Sequence, residues 1–509
     1  MELNVLTQTV HSAQTILDTA AENAFDLDIR LPEYYPDIQR ILKCTVTPNL
    51  QSVGLSADRI NAEGSGILRM LYASEDKEIV SFEQTFPISK SVQLPNAPQD
   101  TVVTACARTD FVNCRASGQR RAGVHGVVSV HFEAKTTAGL EMITGAEDNS
   151  MQLRRVPVQA LDLAACAERS FSMSEVVELE EEQPAISRIL RAHSLLRTDA
   201  VKAVQDKLLI KGEVLTEVLY SAEAPNTLYC FRHAMPLSQI VEAVGITENN
   251  VQDVSLHVRS LETTPKADGN GEMRLLEIAL RVSAFVRSFA PVQIDAVRDA
   301  YSTSADLQTQ YKQLPFCTCA GQLEDSVSAK QTFDLAAAGI TKLLDVSCTE
   351  LHRTFRTEAD TAIVDCTANL LFLYLDADGN PAVTEKQMEF THRKILAEKA
   401  EVVLCTVQIQ QNGCKGTLSA DGKVEVLMEA QLSGTLYAVR EERVLLSCSA
   451  EDSAAAKDSA ALTIYFTDAG ETVWDIAQKY KTTVDAVLAE NDLSEETIRE
   501  KRLLIIPTA

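Results

Sequence analysis

The sequence has few basic residues for its acidic content. It contains 47 lysines and arginines against 72 aspartates and glutamates in 509 residues, which gives a formal net charge of −25 at pH 7. An acidic surface of this size repels the phosphate backbone of nucleic acids and anionic lipid headgroups. The composition therefore argues against a nucleic-acid-binding protein and favours proteins or sugars as partners.

Long hydrophobic runs are also missing. The longest stretch without a charged side chain, residues 3–17, contains Asn4, Gln8 and His11 and is too polar to span a bilayer. Residues 1–4 lack the basic segment with which a secretory signal begins. We expect no membrane insertion, and we expect the product to remain in the cell that makes it.

Motifs of catalysis and of metal binding are absent from the sequence. There is no Gly-x-Ser-x-Gly elbow, no phosphate-binding loop and no Gly-x-Gly-x-x-Gly. Cys317 and Cys319 form a close pair, but no second cysteine or histidine pair stands nearby at ligand spacing. We predict reduced thiols, no metal, no cofactor and no enzymatic activity. A hydrolase with a site hidden in the β domains is a weaker alternative.

The sequence does contain an internal repeat of about 150 residues. The segment Pro-x-Ile-x-Arg-Ile-Leu stands at residues 36–42 and 184–190, and a weaker copy stands at 339–344. In each copy a tyrosine follows an aliphatic residue of this anchor segment at the same distance of 31 residues: Ile41 to Tyr72, Ile189 to Tyr220 and Leu343 to Tyr374. A shared internal spacing in three copies indicates three related units.

Each copy has the pattern of a β domain, because apolar runs around the tyrosine are followed by turn formers such as Asp378, Gly379 and Asn380. We predict a mainly β fold with three tandem β-sandwich-like or open-barrel domains, joined edge to edge like beads. Their predicted bounds are residues 1–150, 151–300 and 301–449. The spacing of Ile38 and Leu42 further predicts one helical turn over the anchor segment.

The last part of the chain differs in composition and pattern. Residues 450–461 have almost nothing to bury and are predicted to be a linker. Residues 462–509 have the order strand, helix, helix, strand, and Thr472 and Asp475 have the spacing of a capping box. The sequence therefore predicts a small α+β module at the C-terminus.

The C-terminal module resembles a LysM domain, a βααβ fold, through Gly-Glu-Thr-Val-Trp-Asp-Ile-Ala at 470–477 and Leu-x-Ile-Pro at 504–507. In that family two loops and the start of the first helix form a shallow groove for N-acetylglucosamine polymers. The resemblance implies binding by Gly470, Glu471, Thr472, Val473, Asn491 and Leu493. Glu471 replaces the usual aspartate, and Glu500 and Lys501 replace a Gly-Gln pair, so a protein partner is favoured over a sugar.

Two apolar residues of the module leave alternatives open. Trp474 is the only tryptophan of the chain. It is either a core residue of a small domain or a partly exposed interface anchor, because aromatic side chains are favoured at binding hot spots. Ile464 on the first strand has the same two alternatives.

Residues 31–44, Leu-Pro-Glu-Tyr-Tyr-Pro-Asp-Ile-Gln-Arg-Ile-Leu-Lys-Cys, resemble the SPOCS domain of spore-forming Firmicutes. Tandem SPOCS domains ending in a LysM are similar to the SipL family of clostridial spore-coat morphogenetic proteins. This resemblance implies a scaffold made in the mother cell that gathers on the forespore surface. Its LysM would bind the coat-organising ATPase SpoIVA, and other coat proteins would be further partners. The alternative is a cell-wall or cortex protein that binds peptidoglycan.

Overall fold

The computed structural model describes residues 4–98, 101–222, 227–396, 402–406, 408–451 and 463–507. Antiparallel strands form most of this part of the chain, and its two α-helices both lie in the C-terminal module. The prediction of a mainly β fold is confirmed. The bounds of the strands show where the three sequence repeats begin and end.

The first repeat consists of six strands: β1 (Val5–Arg30), β2 (Ile38–Ser56), β3 (Arg59–Ser74), β4 (Ile79–Gln93), β5 (Val102–Gly118) and β6 (Arg121–Ala146). The second repeat has the same set: β7 (Met151–Glu178), β8 (Arg188–Val204), β9 (Lys207–Ser221), β10 (Leu228–Glu242), β11 (Val251–Lys266) and β12 (Leu275–Ser302). In both, the first, fifth and sixth strands form one sheet and the other three strands form a second.

The third repeat follows the same plan with small differences. Its elements are β13 (Asp306–Asp334), a 3-10 turn (Ala336–Ala338), β14 (Lys342–Glu358), β15 (Thr361–Leu375), β16 (Pro381–Ile395), β17 (Val402–Cys405), β18 (Gln408–Leu418) and β19 (Lys423–Glu451). Here the position of the fifth strand is taken by the two shorter strands β17 and β18. Strand β19 includes the first two residues of the predicted linker, and residues 452–461 lie outside the described residues.

Each repeat is a sandwich, because its two sheets enclose a common apolar core. In the first repeat this core includes Ile29, Leu68 and Phe132, none of which has exposed surface. The constant spacing of 31 residues has a simple structural basis. Ile41 and Tyr72, Ile189 and Tyr220, and Leu343 and Tyr374 are directly paired across the ladder between the second and third strands of each repeat.

The anchor segment fixes the entry of the chain into the sandwich. The buried Tyr72 donates a hydrogen bond of 2.9 Å from its hydroxyl to the carbonyl oxygen of Pro36. Tyr220 makes the same bond of 3.2 Å to Pro184 in the second repeat. Each bond gives the hydroxyl of the buried tyrosine a partner, because a buried polar group without a hydrogen bond would lower the stability of the fold.

The predicted helical turn over the anchor segment is wrong. Strand β2 begins at Ile38, and its register against β3 shifts between Ile38 and Arg40 and again between Ile41 and Lys43. Such bulges interrupt the strict alternation of a strand. As a result Ile38 faces the core of its own repeat while Leu42 faces the neighbouring repeats, which imitates helical spacing.

The expectation that the repeats are joined like beads is also wrong. Strands β6, β12 and β19 contact one another pairwise, so the three repeats close into a compact body. At one end, apolar residues from all three repeats share a cluster that contains Leu42, Leu190 and Leu373. At the other end the equivalent residues Ile143, Val297 and Leu445 meet, with 1%, 0% and 0% of their surface exposed.

The physical reason lies in the length of the outer strands. Strands β1 and β6 have 26 residues each. Their outer parts, near Val10 and Met142, extend beyond the core of the first repeat and are buried against the other two repeats. Whether the predicted units at 1–150, 151–300 and 301–449 fold as separate domains stays a prediction.

We predict that the shared cluster stabilises the whole body. Leu445→Ala should lower the free energy of unfolding by about 2–5 kcal/mol, because it leaves a cavity among three repeats. Leu427→Ala in the same strand is the matched control, since Leu427 is 36% exposed, and it should cost well under half as much. Denaturant unfolding followed by far-UV circular dichroism measures both. Equal losses would contradict the closed arrangement.

Candidate binding surface on the C-terminal module

The C-terminal module has the predicted βααβ order: β20 (Thr463–Phe466), α1 (Val473–Lys479), α2 (Val484–Glu490) and β21 (Leu503–Ile506). Strands β20 and β21 pair, and their inward residues Leu504 and Ile506 pack with Val473 and Val487 of the two helices. Thr472 caps α1 by accepting a hydrogen bond of 3.2 Å from the backbone N–H of Asp475. The module therefore has a helical side and an outer sheet face.

The loops of the predicted sugar groove are hydrogen-bonded to each other. The backbone N–H of Gly470 donates to Ile498 at 2.7 Å, and the N–H of Ile498 donates to Glu471 at 2.9 Å. The N–H of Val473 donates to Glu496 at 2.7 Å, and the Val473 side chain is fully buried. The backbone N–H groups of Gly470 and Val473 and the carbonyl oxygen of Glu471 are thus already paired within the module.

The polar side chains predicted for this groove also have partners within the module. The Glu471 carboxylate accepts hydrogen bonds from the Tyr465 hydroxyl at 2.9 Å and from the backbone N–H of Asp468 at 3.0 Å. The first of these bonds raises the pKa of Tyr465, because the phenol donates to a carboxylate. Both oxygens of Glu471 therefore bind within the module.

Asn491 joins the end of α2 to the last strand. Its amide nitrogen donates to the carbonyl oxygens of Val487 at 2.8 Å and Ile505 at 2.7 Å. Its side-chain oxygen accepts from the backbone N–H of Ile505 at 2.7 Å. Leu493 beside it is partly buried against the module core. These two residues hold the fold of the module, and a role for them in binding stays a prediction.

Of the two alternatives for Trp474, the core residue agrees with the structure and the partly exposed anchor does not, because only 5% of its surface is exposed. Its indole Nε1–H donates a hydrogen bond of 2.9 Å to a carboxylate oxygen of Asp299 in the second repeat. The ring also packs edge-on against Tyr301, with the ring centres 5.0 Å apart. Trp474 is an interface residue, but its partner lies in the same chain. The module sequence alone gives no sign of this neighbour.

The exposed apolar surface of the module lies on its outer sheet face. Residues i and i+2 of a strand point to the same side. Ile464 and Phe466 therefore share a face, and they pair with Ile505 and Leu503 of β21. Ile464 is 53%, Phe466 74% and Leu503 46% exposed. We call Ile464, Phe466, Leu503 and Ile505 the outer sheet face.

Of this face, sequence reasoning identified Ile464 and missed the others. Alternation along β20 would have placed Phe466 beside Ile464. The run from Leu503 to Ile506 is apolar throughout, so its alternation is hidden. Of the predicted site residues, the structure brings Gly470, Glu471, Thr472 and Val473 together where the loop enters α1. Ile464 lies on strand β20 instead.

Comparison with protein families now gives the class of the protein. Residues 37–117 and 185–266 match the family model described as SipL, SPOCS domain, and residues 468–507 match the LysM domain. The chain is a multidomain protein built from SPOCS domains and a LysM domain. This combination of domains is similar to that of the SipL family, as its sequence predicted. Comparisons with curated proteins and with solved structures gave no significant match.

These matches define the protein coarsely. The SPOCS domains make it a sporulation-related protein, and the LysM domain gives it a module of a class that binds peptidoglycan-like polymers. Both are binding-type domains and not catalytic ones. Within the described residues, no cluster of three or more histidine, cysteine or acidic side chains is arranged to hold a metal, and no helix is long and apolar enough to cross a bilayer.

We predict that Asn491 acts by stabilising the module. Asn491→Ala should lower the free energy of unfolding of the LysM by about 1–3 kcal/mol, because it leaves the backbone of Ile505 without partners. The fluorescence of Trp474, the single tryptophan, reports this transition within the full chain. Ser494→Ala, at an exposed position three residues away, is the control and should change little. Unchanged stability of the Asn491 variant would point to a ligand-binding role instead.

Proposed function

We propose that this protein is a non-enzymatic sporulation scaffold that recruits or tethers spore coat and envelope proteins at the forespore surface. In this proposal it is made in the mother cell, and its LysM is a protein-binding module for a SpoIVA-like coat ATPase. The proposal is supported by the match to SPOCS and LysM domains. A protein that holds other proteins needs an accessible apolar contact surface, and the chain has one on its LysM.

The observation that carries the proposal is the outer sheet face of the LysM. Three large apolar side chains lie together on a module of about 45 residues, and Phe466 is 74% exposed. Exposed aromatic and aliphatic side chains on a small surface mark protein interaction sites. In the predicted sugar groove, in contrast, the N–H groups of Gly470 and Val473 and the carboxylate of Glu471 are paired within the module.

The acidic balance of the chain is compatible with a protein partner that has apolar and basic groups. Near the outer sheet face, Lys501 pairs with Asp468 at 2.7 Å, and both side chains are exposed. Lys501 stands at a position where the sequence departs from the usual LysM pattern. An exposed ion pair contributes little to stability but helps to select partners by charge.

We predict that Phe466→Ser in the full chain weakens capture of the SpoIVA-like ATPase by about 30-fold or more, the loss expected for an aromatic hot spot of about 2 kcal/mol. Because the side chain is 74% exposed, the fold should be unaffected. Phe111→Ser is the matched control, since Phe111 is 48% exposed on the first repeat. Affinity of the purified proteins, measured by biolayer interferometry, tests this.

Equal binding by both variants would count against the proposal, because it would exclude the outer sheet face as the contact surface.

Binding to peptidoglycan would also count against the proposal. The second candidate function, a peptidoglycan-binding protein of wall or cortex, is favoured by the LysM class itself. Co-sedimentation of the full chain with purified peptidoglycan, unaffected by Phe466→Ser but reduced by free N-acetylglucosamine oligomers, would support that alternative.

A further inference from the structure

The LysM lies against the end of the second repeat through a small set of specific contacts. Besides the bond from Trp474, the hydroxyl of Tyr301 donates 2.7 Å to the backbone carbonyl of Thr482, in the turn between the two helices. The Arg154 guanidinium lies 5.9 Å from the centre of the Trp474 ring. Thr482 and Trp474 are almost fully buried in this arrangement, with 0% and 5% of their surface exposed.

Asp299 is the centre of this contact. One of its carboxylate oxygens accepts from the indole of Trp474 at 2.9 Å. The other accepts from the hydroxyl of Tyr311 in the third repeat at 2.8 Å and from the backbone N–H of Ala300 at 2.9 Å. A single carboxylate thus joins the second repeat, the third repeat and the LysM, and charge-assisted bonds of this kind are stronger than neutral ones.

Arg154, Asp299 and Tyr301, which contact the LysM, all belong to the second repeat. The first and third repeats have other residues at the equivalent positions. Each repeat has a β-bulge near the end of its long strand pair, between Leu6 and Thr7, between Val297 and Asp299, and between Gln310 and Tyr311. In the last strand of the first, second and third repeats, the residue just after the bulge is Gly145, Asp299 and Ser447, respectively. Two residues further along, the same strands have Glu147, Tyr301 and Ser449. The cross-strand partner of Asp299 is Arg154, and the equivalent partners in the first and third repeats are Leu6 and Gln310.

The arrangement also leaves the outer sheet face free. Trp474 lies on α1, which packs against the inward side of the β20–β21 sheet. The exposures of Ile464, Phe466 and Leu503 are those of the docked module, so docking covers none of them completely. A salt bridge of 2.7 Å between Lys481 and Asp306 adds a second fixed point at the boundary of the third repeat.

We propose that the end of the β7–β12 strand pair is a dedicated docking site for the chain's own LysM, formed by Arg154, Asp299 and Tyr301. Docking there fixes the direction in which the outer sheet face is presented, a consequence that rests on the proposed function. The LysM is then a positioned part of the scaffold and not a freely tethered module. Trp474 serves this attachment, and the outer sheet face serves the external partner.

The single tryptophan makes docking measurable without any partner. In the full-length protein, Trp474 should show a short-wavelength emission maximum and weak quenching by acrylamide. The Asp299→Ala/Tyr301→Ala double variant should shift the emission to longer wavelength and raise the quenching constant several-fold. Far-UV circular dichroism should remain that of the wild type, because both residues lie at the outer end of their strand. Tyr301→Phe alone, which keeps the ring, should have an intermediate effect.

The control variant is Ser447→Ala/Ser449→Ala, which changes the equivalent positions of the third repeat; both serines are exposed there. Acrylamide should quench Trp474 in this variant to the same degree as in the wild type. Strong quenching of Trp474 in the wild type, or equal quenching in the double variant, would overturn the proposal. Protection that appears only with a dimer mass in light scattering would also overturn it, because the LysM would then dock on a second copy. None of these results depends on the ATPase, so they separate this inference from the proposed function.

Discussion

The burial of the outer parts of the long strand pairs is the constraint on which the rest of the structure depends. Near Ile143, Val297 and Leu445 each repeat continues an apolar strand pair past the end of its own sandwich. An apolar strand surface must be covered, and each repeat covers it with the other two. The closed arrangement of three repeats follows from this requirement, and so does the meeting of three strand ends beside which the LysM lies.

The three repeats share one plan, and the residues of the proposed docking site lie where the repeats differ. The third repeat lacks the anchor proline, with Ala338 in its place, and divides the fifth strand into β17 and β18. The second repeat carries Asp299 and Tyr301 after its bulge, whereas the others carry small or acidic residues there. Core positions keep their apolar character in all copies because packing demands it, while the strand ends are free to acquire a local binding role.

Local pattern predicted the fold well and the packing between units poorly. The spacing from Ile41 to Tyr72 indicated three related units, and its structural cause is a cross-strand pair between the second and third strands of each repeat. The helical turn at Ile38 failed, because bulges turned Leu42 toward another repeat. In the LysM, the loop of Gly470 was found from its sequence pattern and burial was one of the two alternatives for Trp474, whereas the contact of Trp474 outside the module was not predicted. Its partner Asp299 is 175 residues distant in the chain, and no local signal records such a contact.

A tethered LysM and a docked LysM differ in their freedom of orientation before a partner binds. A flexible tether raises the local concentration of a binding module but leaves its orientation free. Binding of a partner then costs the rotational entropy of the module, which lowers the affinity. A module held by the Asp299 carboxylate has already lost most of that freedom on folding. The outer sheet face, with Phe466 exposed, is then pre-organised relative to a rigid body of three repeats. For a scaffold that must arrange partners on a surface, fixed orientation determines the geometry of the assembly as well as its affinity.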